Sequence, residues 1–486
     1  MTAGDRIGGA GGRSFSRACV SVAALAVLLT GCAKPLGGTH GDPTVAARAR
    51  TLETQRSTPI AAPARMLEPQ RGSAIDDRTA THEARRGATV DDSAQTIDKS
   101  RSTAAAAPAA APSKTRKSDA DEAPQSVIDG RKLVVGPNED VRTIAEAARI
   151  ARNGDVVEVR AGEYVGDVAV WRQKQLTIRA VGGRVVLKAS GKSAQGKGIW
   201  VIRDGHFEIE GFDFVGAHVP DRNGAGIRFE HGTLVVRDSR FLDNENGILT
   251  SNDGRSTLVV ERSLFSGNGH GDGYSHGLYA GRIARVEVRG SWFRNGRVGH
   301  LLKSRARENV IEYNRITDED GNSSYELEFP NGGRALVIGN IIEQSAKTEN
   351  PVIVSYGAEG YKWPSNELVM SHNTVIDSGA RNGVFVRVSP GEAPVHFVGN
   401  LWVGDAKFSL PAAAADEAGN HRVLLSALRD PVGGDFRLSG TANVPAPSEE
   451  DVTDVPPDWL PRFQYRHERS LAPLGREAKW PGALQP

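Results

Sequence analysis

The chain has 486 residues, and its 60 Lys and Arg residues nearly balance its 59 Asp and Glu residues, giving a formal net charge of +1. Because there is no basic field, nucleic acid is not an expected partner. Glycine is plentiful, at 55 residues, and aromatic residues make up only 6%, which favours a turn-rich β architecture over a helical one.

The first element in chain order is a predicted signal peptide over residues 1–31. Basic residues precede a short apolar run over residues 18–29, whereas a transmembrane helix needs about 20 apolar residues. The next residues, Leu29-Thr30-Gly31-Cys32, resemble the lipobox of bacterial lipoproteins, which implies cleavage before Cys32 and lipid attachment to its sulfur. An ordinary signal peptide that is cut elsewhere is the alternative.

This resemblance implies an exported protein, anchored by its N-terminal lipid in the bacterial cell envelope, at the outer membrane facing the periplasm. The chain has two cysteines, and Cys19 would leave with the signal while Cys32 would be acylated. The folded part is therefore expected to hold neither a disulfide nor a thiolate site.

Residues 32–128 are rich in Ala, Pro, Ser and Thr and show no sustained apolar period. Such a segment cannot bury enough apolar surface to offset its ordering entropy, so a disordered tether is predicted. Its r.m.s. reach of about 50 to 60 Å would hold the folded part away from the membrane. A short helix within residues 46–68 is the alternative.

The folded part is predicted over residues 129–442, with a Pro-rich tail over 443–486 that docks in part. It begins with an amphipathic pattern over residues 141–151, which predicts a helix with Asp140 as its cap. A strand follows over residues 154–164.

A repeat then runs through this part of the chain. A short strand is followed by Asn or Ser, any residue and a large apolar residue, and the instances end at Phe241, Phe265, Phe293, Ile316, Ile342, Val375 and Trp402. Strands at this spacing of about 25 residues leave no room for crossover helices, but they stack well as coils. The predicted fold is all-β: a single-stranded right-handed parallel β-helix, or solenoid, with an N-terminal capping helix. A jelly roll or sandwich would not keep this period.

The helix and the following strand, which ends in Ala161-Gly162-Glu163-Tyr164, resemble the opening of proteins in the pectin-lyase-like superfamily. The resemblance covers residues 130–410 approximately and implies the β-helix fold. It leaves the function open, because this superfamily includes lyases, hydrolases, epimerases and non-catalytic adhesins.

A second set of strands lies between the repeats, and alternation along them predicts outward side chains stacked about 4.8 Å apart on successive coils. With leucines inward, the predicted outward residues are Tyr279, Lys303, Arg305, Glu326 and Glu328. His276, His300 and Tyr325 lie at the beginnings of the same strands. A solvated charged face is the alternative, but this density of ionisable and aromatic side chains favours a functional site.

The stretch from His300 through Lys303-Ser304 to Asn314-Arg315-Ile316 resembles a Lys-Ser motif of polysaccharide lyase family six, which includes alginate lyases and chondroitinase B. The resemblance implies β-elimination on a uronic-acid polymer, with Lys303 as the base. Arg305, or else Arg307, would then bind the substrate carboxylate.

The chain departs from that family at two places. Glu328-Phe329-Pro330 stands where the family has Arg-His-Gly, so the catalytic acid is left open among Tyr279, Tyr325 and His276. His300 and Leu301 stand where the family has calcium-binding acids. No cofactor is required by the sequence, and calcium alone is left open by the acidic residues Asp318, Glu319, Asp320, Glu326 and Glu328. The same residues leave acid/base hydrolysis open.

Other enzyme classes have weaker support. Gly269-His270-Gly271 matches one motif of polygalacturonase-type hydrolases, but the companion Asn-Thr-Asp and Arg-Ile-Lys motifs are missing, as is the Asp-Pro-His motif of alginate epimerases. A long loop carries Tyr361 and Trp363, aromatic residues of the kind that stack on sugar rings, with loop anchoring as the alternative.

The leading hypothesis is therefore an envelope-anchored, monomeric lyase of an acidic polysaccharide. Its substrate-binding residues would be Arg307, His300, Glu326, Glu328, Tyr361 and Trp363. The alternatives are a non-catalytic module that binds or guides an exopolysaccharide and a purely structural adhesin.

Overall fold

The computed structural model describes residues 130–379, 382–411, 416–440, 442, 444, 455–475 and 480–485. The predicted signal peptide, the predicted tether and Cys32 lie outside the described residues and stay predictions. No helix among the described residues is long and apolar enough to cross a membrane.

The strands form three stacks of parallel pairs that run along the molecule. The first ladder comprises β1 Lys132–Val135, β2 Val156–Val165, β4 Gln175–Lys188, β6 His206–Glu210, β9 Thr233–Arg237, β12 Thr257–Glu261, β15 Arg285–Arg289, β18 Glu308–Glu312, β21 Arg334–Ile338, β24 Glu367–Ser371, β27 Val395–Val398 and β30 Asp416–Ala418. The second ladder begins with the C-terminal halves of β2 and β4 and continues as β7 Phe212–Val215, β10 Arg240–Leu242, β13 Leu264–Ser266, β16 Trp292–Arg294, β19 Arg315–Thr317, β22 Ile341–Gln344, β25 Thr374–Asp377, β28 Leu401–Val403 and β31 His421–Val423.

The third stack, here called the site sheet, has ten strands. They are β3 Ala169–Trp171, β5 Gly198–Ile202, β8 Ala225–Phe229, β11 Asn246–Thr250, β14 Leu278–Ala280, β17 His300–Ser304, β20 Tyr325–Phe329, β23 Val352–Tyr356, β26 Val384–Val388 and β29 Lys407–Ser409. Each coil visits the first ladder, the second ladder and then the site sheet, so the predicted parallel β-helix is confirmed.

The predicted repeat positions stack in register along the second ladder. Phe241 pairs with Phe265, and Phe265 with Phe293, and the series continues to Trp402. Four rings from Phe214 to Phe293 lie nearly parallel inside the coil, with centroids 5.0, 4.7 and 4.4 Å apart. This stack gives the core its continuity, because each coil covers the apolar face of the coil before it.

The polar residue of each repeat joins neighbouring coils. The side chains of Ser239, Ser263 and Ser291 each accept a backbone N–H bond from the preceding coil. From Ser291 onward the acceptors are asparagine amides, at 2.8 to 2.9 Å, contributed by Asn314, Asn340, Asn373, Asn400 and Asn420. Backbone groups that the bends would leave unpaired are thereby satisfied.

The helix α1 spans Ile144–Ile150 and buries Ile144, Ala147 and Ala148 in the core of the first coils. It starts three residues later than predicted, and its cap is Thr143, whose hydroxyl accepts the N–H of Glu146 at 3.1 Å. The prediction of Asp140 as the cap was wrong, because Val141 forms a bridge with Val135 and holds the chain extended up to the cap.

The C-terminal segments pack against the outer face of the second ladder. Two antiparallel hairpins, β32 Leu428–Asp430 with β33 Asp435–Leu438 and β34 Phe463–Arg466 with β35 Ser470–Pro473, follow the last coils, and two short 3₁₀ turns span Leu425–Ala427 and Pro457–Trp459. Tyr465 and Ala483 join Ile341, Ile376 and Leu401 in a second apolar cluster. The predicted partial docking of this tail is confirmed for the described residues.

Candidate functional site

Five consecutive strands of the site sheet carry one outward row of polar residues. The pairings of β14, β17, β20, β23 and β26 bring together, in order, Tyr279, Lys303, Glu328, Ser355 and Arg387. The predicted register of Tyr279, Lys303 and Glu328 is therefore confirmed. Together with His276, His300, Tyr325 and Arg305, these three residues are called the Lys303 cluster below.

Glu328 is the anion at the centre of the Lys303 cluster. Its Oε2 lies 3.4 Å from Nζ of Lys303 and 3.0 Å from Nδ1 of His300, and the three side chains are only 4 to 7% exposed. Burial alone would raise the pKa of Glu328, but the charge of Lys303 and then that of His300 lower the pKa to about 2. Glu328 is therefore a carboxylate at any ordinary pH, and it favours the ammonium form of Lys303.

His276 and Tyr325 flank His300 on the neighbouring coils. The backbone N–H of His300 donates to Nδ1 of His276 at 3.0 Å, and the two rings are 4.5 Å apart. Burial, and then the charges of His300 and Lys303, lower the pKa of His276 far below its ordinary value, so this imidazole is neutral. Since its Nδ1 accepts a hydrogen bond, its proton resides on Nε2.

Tyr325 stands edge-on to His300, with ring centroids 4.7 Å apart. Burial, and then the charge of Glu328, raise the pKa of Tyr325 above its ordinary value. The phenol therefore keeps its proton and remains a hydrogen-bond donor, which suits the acid role left open by the sequence.

Arg305 already binds a carboxylate of the chain itself. Its guanidinium makes a two-pronged contact with Glu359, in which Nε lies 2.8 Å from Oε2, and Asn331 donates to the same oxygen at 2.9 Å. The guanidinium also lies over the Tyr279 ring, 5.1 Å from its centroid. Arg305 was expected to clamp a substrate carboxylate; in this structure Glu359, 54 residues later, contacts the guanidinium, and the substrate role stays a prediction. Arg307, on the turn after β17, is exposed.

The outward orientation predicted for Glu326 was also wrong. Its side chain is fully buried at the corner between β20 and β22, where Gln344 donates to Oε2 at 3.2 Å. Burial, with the nearby charges of Asp318 and Glu343, raises the pKa of Glu326 well above its ordinary value. A buried side chain in this corner is not available to a substrate on the outer face.

The residues present do not fit a calcium ion. Asp318 and Glu326 lie in the buried corner, whereas Glu328 is held by Lys303, and Asp320 is exposed and paired with Lys347 at 2.8 Å. Within the described ranges, no three His, Cys, Asp or Glu side chains are placed to hold a metal. The proposed chemistry therefore does not use calcium.

The two aromatic residues predicted to stack on sugars anchor the loop between β23 and β24. The Tyr361 hydroxyl donates to the carbonyl of Ser389 at 2.8 Å, and its ring packs on Tyr356 of the core. Trp363 donates from Nε1 to the carbonyl of Arg305 at 3.1 Å, and its ring carries the guanidinium of Arg282 at 5.3 Å. Trp363 thus lies at the edge of the Lys303 cluster, while Tyr361 serves the alternative role of loop anchor.

A groove of about 820 Å³ adjoins the cluster on the site sheet, at the earlier coils β8, β11 and β14. Its floor includes Arg228, Leu249 and Tyr279, which the strand pairings place in one row. Sequence reasoning missed Arg228, although its position between the inward residues Ile227 and Phe229 signals an outward side chain. Arg387, between Val386 and Val388 at the other end of the row, was missed in the same way.

Comparisons with known proteins add little to this picture. No protein-family model matches the chain, and no curated protein matches it. Among solved structures, the chain is similar to the crystal structure of pectate lyase Pel9A, with 14% sequence identity, a TM-score of 0.38 and coverage of 65% of this chain and 91% of that one. The β-helix assignment itself follows from the strand pairings.

Proposed function

We propose that this chain binds an acidic polysaccharide along the site sheet and cleaves it by β-elimination at the Lys303 cluster. The observation that carries the proposal is the convergence of an ammonium and an imidazole on the buried carboxylate of Glu328, with the Tyr279 ring beside Lys303 and the Tyr325 ring beside His300. β-Elimination needs a positive charge for the uronate carboxylate, a base for the adjacent proton and an acid for the leaving oxygen.

The chemistry divides among these side chains as follows. A base removes the proton on C5, beside the carboxylate, and that electron pair forms the C4–C5 double bond while the bond from C4 to the glycosidic oxygen breaks. A phenol, from Tyr279 or Tyr325, protonates the departing oxygen. The substrate is thereby split into two chains, one of which ends in an unsaturated uronate.

The geometry favours His300 over Lys303 as the base. A lysine must be neutral to accept a proton, but Glu328, 3.4 Å away, favours its ammonium form. Nδ1 of His300 lies still closer to Glu328, at 3.0 Å, but an imidazole gives up its second proton far more readily than an ammonium does, and Nε2 then holds the lone pair that accepts the C5 proton. In this assignment Lys303 neutralises the substrate carboxylate.

The first test uses the ultraviolet absorbance of the new double bond, measured with the full chain on polygalacturonate, alginate and chondroitin. We expect a rise with at least one polymer, lost with both Lys303→Ala and His300→Gln. Lys303→Arg keeps the positive charge, so it should keep part of the activity if Lys303 neutralises the carboxylate and none if Lys303 is the base. Lys347→Ala, which removes an exposed lysine paired with Asp320, is the control and should act as the wild type does.

One observation favours a second candidate, a non-catalytic polysaccharide-binding module. The two cations of the cluster are both held by carboxylates of the chain, Lys303 by Glu328 and Arg305 by Glu359. Such pairs fix the local structure without any substrate. Polymer that binds, is recovered intact and shows no new double bond or reducing end would support this module and contradict the lyase.

The site of action is proposed from the sequence alone. We infer export and attachment to the cell envelope through lipid on Cys32, with the β-helix acting as a monomer beyond a long tether. A polymer in the envelope would then meet the site sheet while the enzyme stays bound to its membrane.

A further inference from the structure

Apart from Tyr279, the groove beside the Lys303 cluster is built from residues that the proposed chemistry does not use. Its floor is the row Arg228, Leu249 and Tyr279, and Tyr279 is shared with the cluster. Arg228 is three strand steps before Lys303, which corresponds to about 14 Å along the sheet. The groove is thus a distinct place on the same face, close enough for one polymer chain to occupy both.

Among the described residues, none is a counter-ion in direct contact with the guanidinium of Arg228. Its Nε is buried without a hydrogen-bond partner, and within the described ranges no ion pair or hydrogen bond of this side chain is found. Burial lowers the pKa of Arg228, and Glu230 and Asp221 offset this only in part, through longer-range attraction. Arg228 is half-buried, and a guanidinium whose Nε is shielded from solvent without a hydrogen bond is costly in a folded protein, so its presence calls for an explanation.

A second unsatisfied donor lines the same groove. Asn246 is 1% exposed, and its Nδ2 is buried without a partner, while its Oδ1 accepts the backbone N–H of His276 at 2.9 Å. Because Oδ1 is fixed in this way, Nδ2 cannot exchange places with it to find a partner. Two donors that line one groove, one of them charged, are therefore left without a partner among the described residues.

The other charges on the groove wall are largely engaged with one another. Lys197 and Arg203 both contact Glu230, and Nη1 of Arg222 lies 3.9 Å from Asp272. Arg228 is thus the cation best placed to receive an anion from outside. The Leu249 and Tyr279 side chains beside it offer an apolar surface of the kind on which a sugar ring rests.

We propose that Arg228 and Asn246 form a second subsite, which binds the carboxylate and a neighbouring oxygen of an acidic sugar unit. This subsite rests on the proposed function for the class of polymer, and it would hold a unit separate from the one at the Lys303 cluster. A guanidinium matches a carboxylate by two parallel hydrogen bonds, which a neutral sugar cannot provide.

Calorimetric titration of the full chain with galacturonate, guluronate and mannuronate hexamers tests the subsite, with xylohexaose as the neutral control. We expect Arg228→Gln to weaken the binding of the acidic hexamer about ten- to a hundred-fold. Arg228→Lys, which keeps the charge but loses the planar fork, should bind with intermediate affinity. Arg334→Gln, an exposed arginine on the first ladder, is the matched control and should bind as the wild type does.

Thermal unfolding separates a binding role from a structural one. Arg228→Gln removes a half-buried charge that has no ion pair among the described residues, so its melting temperature should equal or exceed that of the wild type. Equal affinity in wild type and Arg228→Gln, or no binding of any acidic hexamer by the wild type, would overturn the subsite. If Arg228→Gln weakens binding but the wild type forms no double bond, the subsite stands and the proposed elimination fails.

Discussion

Glu326 and Glu328 lie two residues apart on one strand, yet their carboxyl groups are driven toward opposite charge states. Glu328 faces Lys303 and His300, which outweigh burial and lower its pKa to about 2. Glu326 is equally buried, but its charged neighbours are Asp318 and Glu343, so burial and repulsion both raise its pKa. At the scale of single residues, the charge of a buried group is thus set by its partners.

The raised pKa of Glu326 predicts a pH-dependent loss of stability. A carboxyl whose pKa is higher in the folded state than its ordinary value of 4.5 favours folding while it is protonated. As the pH rises above about 4.5, the unfolded chain releases this proton first, so the free energy of unfolding falls until the folded pKa is passed.

Glu326→Gln keeps the shape and removes the titration. We expect this variant to have a higher free energy of unfolding than the wild type at neutral pH. Near pH 4, where Glu326 of the wild type is protonated in both states, this advantage should be smaller. Urea unfolding measured across this range checks the prediction, with the exposed Glu392→Gln as the control. Parallel pH profiles for Glu326→Gln and the wild type would contradict it.

At the scale of elements, the bends between coils depend on a ladder of side-chain amides. Asn340 accepts the backbone N–H of Asn314 at 2.9 Å through Oδ1 and donates to the carbonyl of Ile311 at 2.8 Å through Nδ2. Its own N–H donates to Asn373 on the next coil. Each asparagine thus joins three coils, and the ladder as a whole holds the coils in register.

Asn340→Ala should lower the free energy of unfolding by about 2 to 5 kcal/mol, because it leaves two buried backbone groups unpaired. Asn340→Ser should lose less, since serine hydroxyls already accept the equivalent N–H bond at Ser239 and Ser263. Chemical denaturation of the two variants measures the difference. Equal losses for Ala and Ser would show that the side-chain acceptor is not what stabilises the bend.

At the scale of the whole molecule, the C-terminal segments that follow the last coils pack on the outer face of the second ladder. Tyr465 is 5% exposed there, and the Arg462 N–H donates to the hydroxyl of Tyr313, 149 residues earlier, at 3.0 Å. The Ala483 N–H likewise donates to Thr374 at 3.0 Å. The tail therefore ties different coils together on a face of the β-helix other than the site sheet.

Removal of residues 455–486 should lower the melting temperature by several degrees and increase the binding of a dye for apolar surface. Ile341, Ile376 and Leu401 would lose part of their cover, and exposed apolar patches of this kind are destabilising and prone to association. Tyr465→Ala should give a smaller change in the same direction, and it tests the idea even if the shortened chain does not fold. An unchanged melting temperature in both would contradict the role assigned to the tail.

The sequence by itself determined the parallel β-helix and much of its register. Because every coil repeats the same alternation of inward and outward side chains, the spacing of Phe241, Phe265 and Phe293 was enough to predict their stack. The same regularity placed Tyr279, Lys303 and Glu328 in one row. Local periodicity carries this information, since each coil is built against its neighbours in the chain.

Only the tertiary structure decided which of these side chains have partners. Glu359, on a loop 54 residues later in the chain, pairs with Arg305. Gln344 and Asp318 lie beside Glu326 in a buried corner, which the alternation of inward and outward residues does not predict. Arg228, by contrast, is a cation for which the described residues provide no ion pair or hydrogen bond. Charge pairing depends on distances between loops and corners, which vary from coil to coil, and the repeat does not encode them.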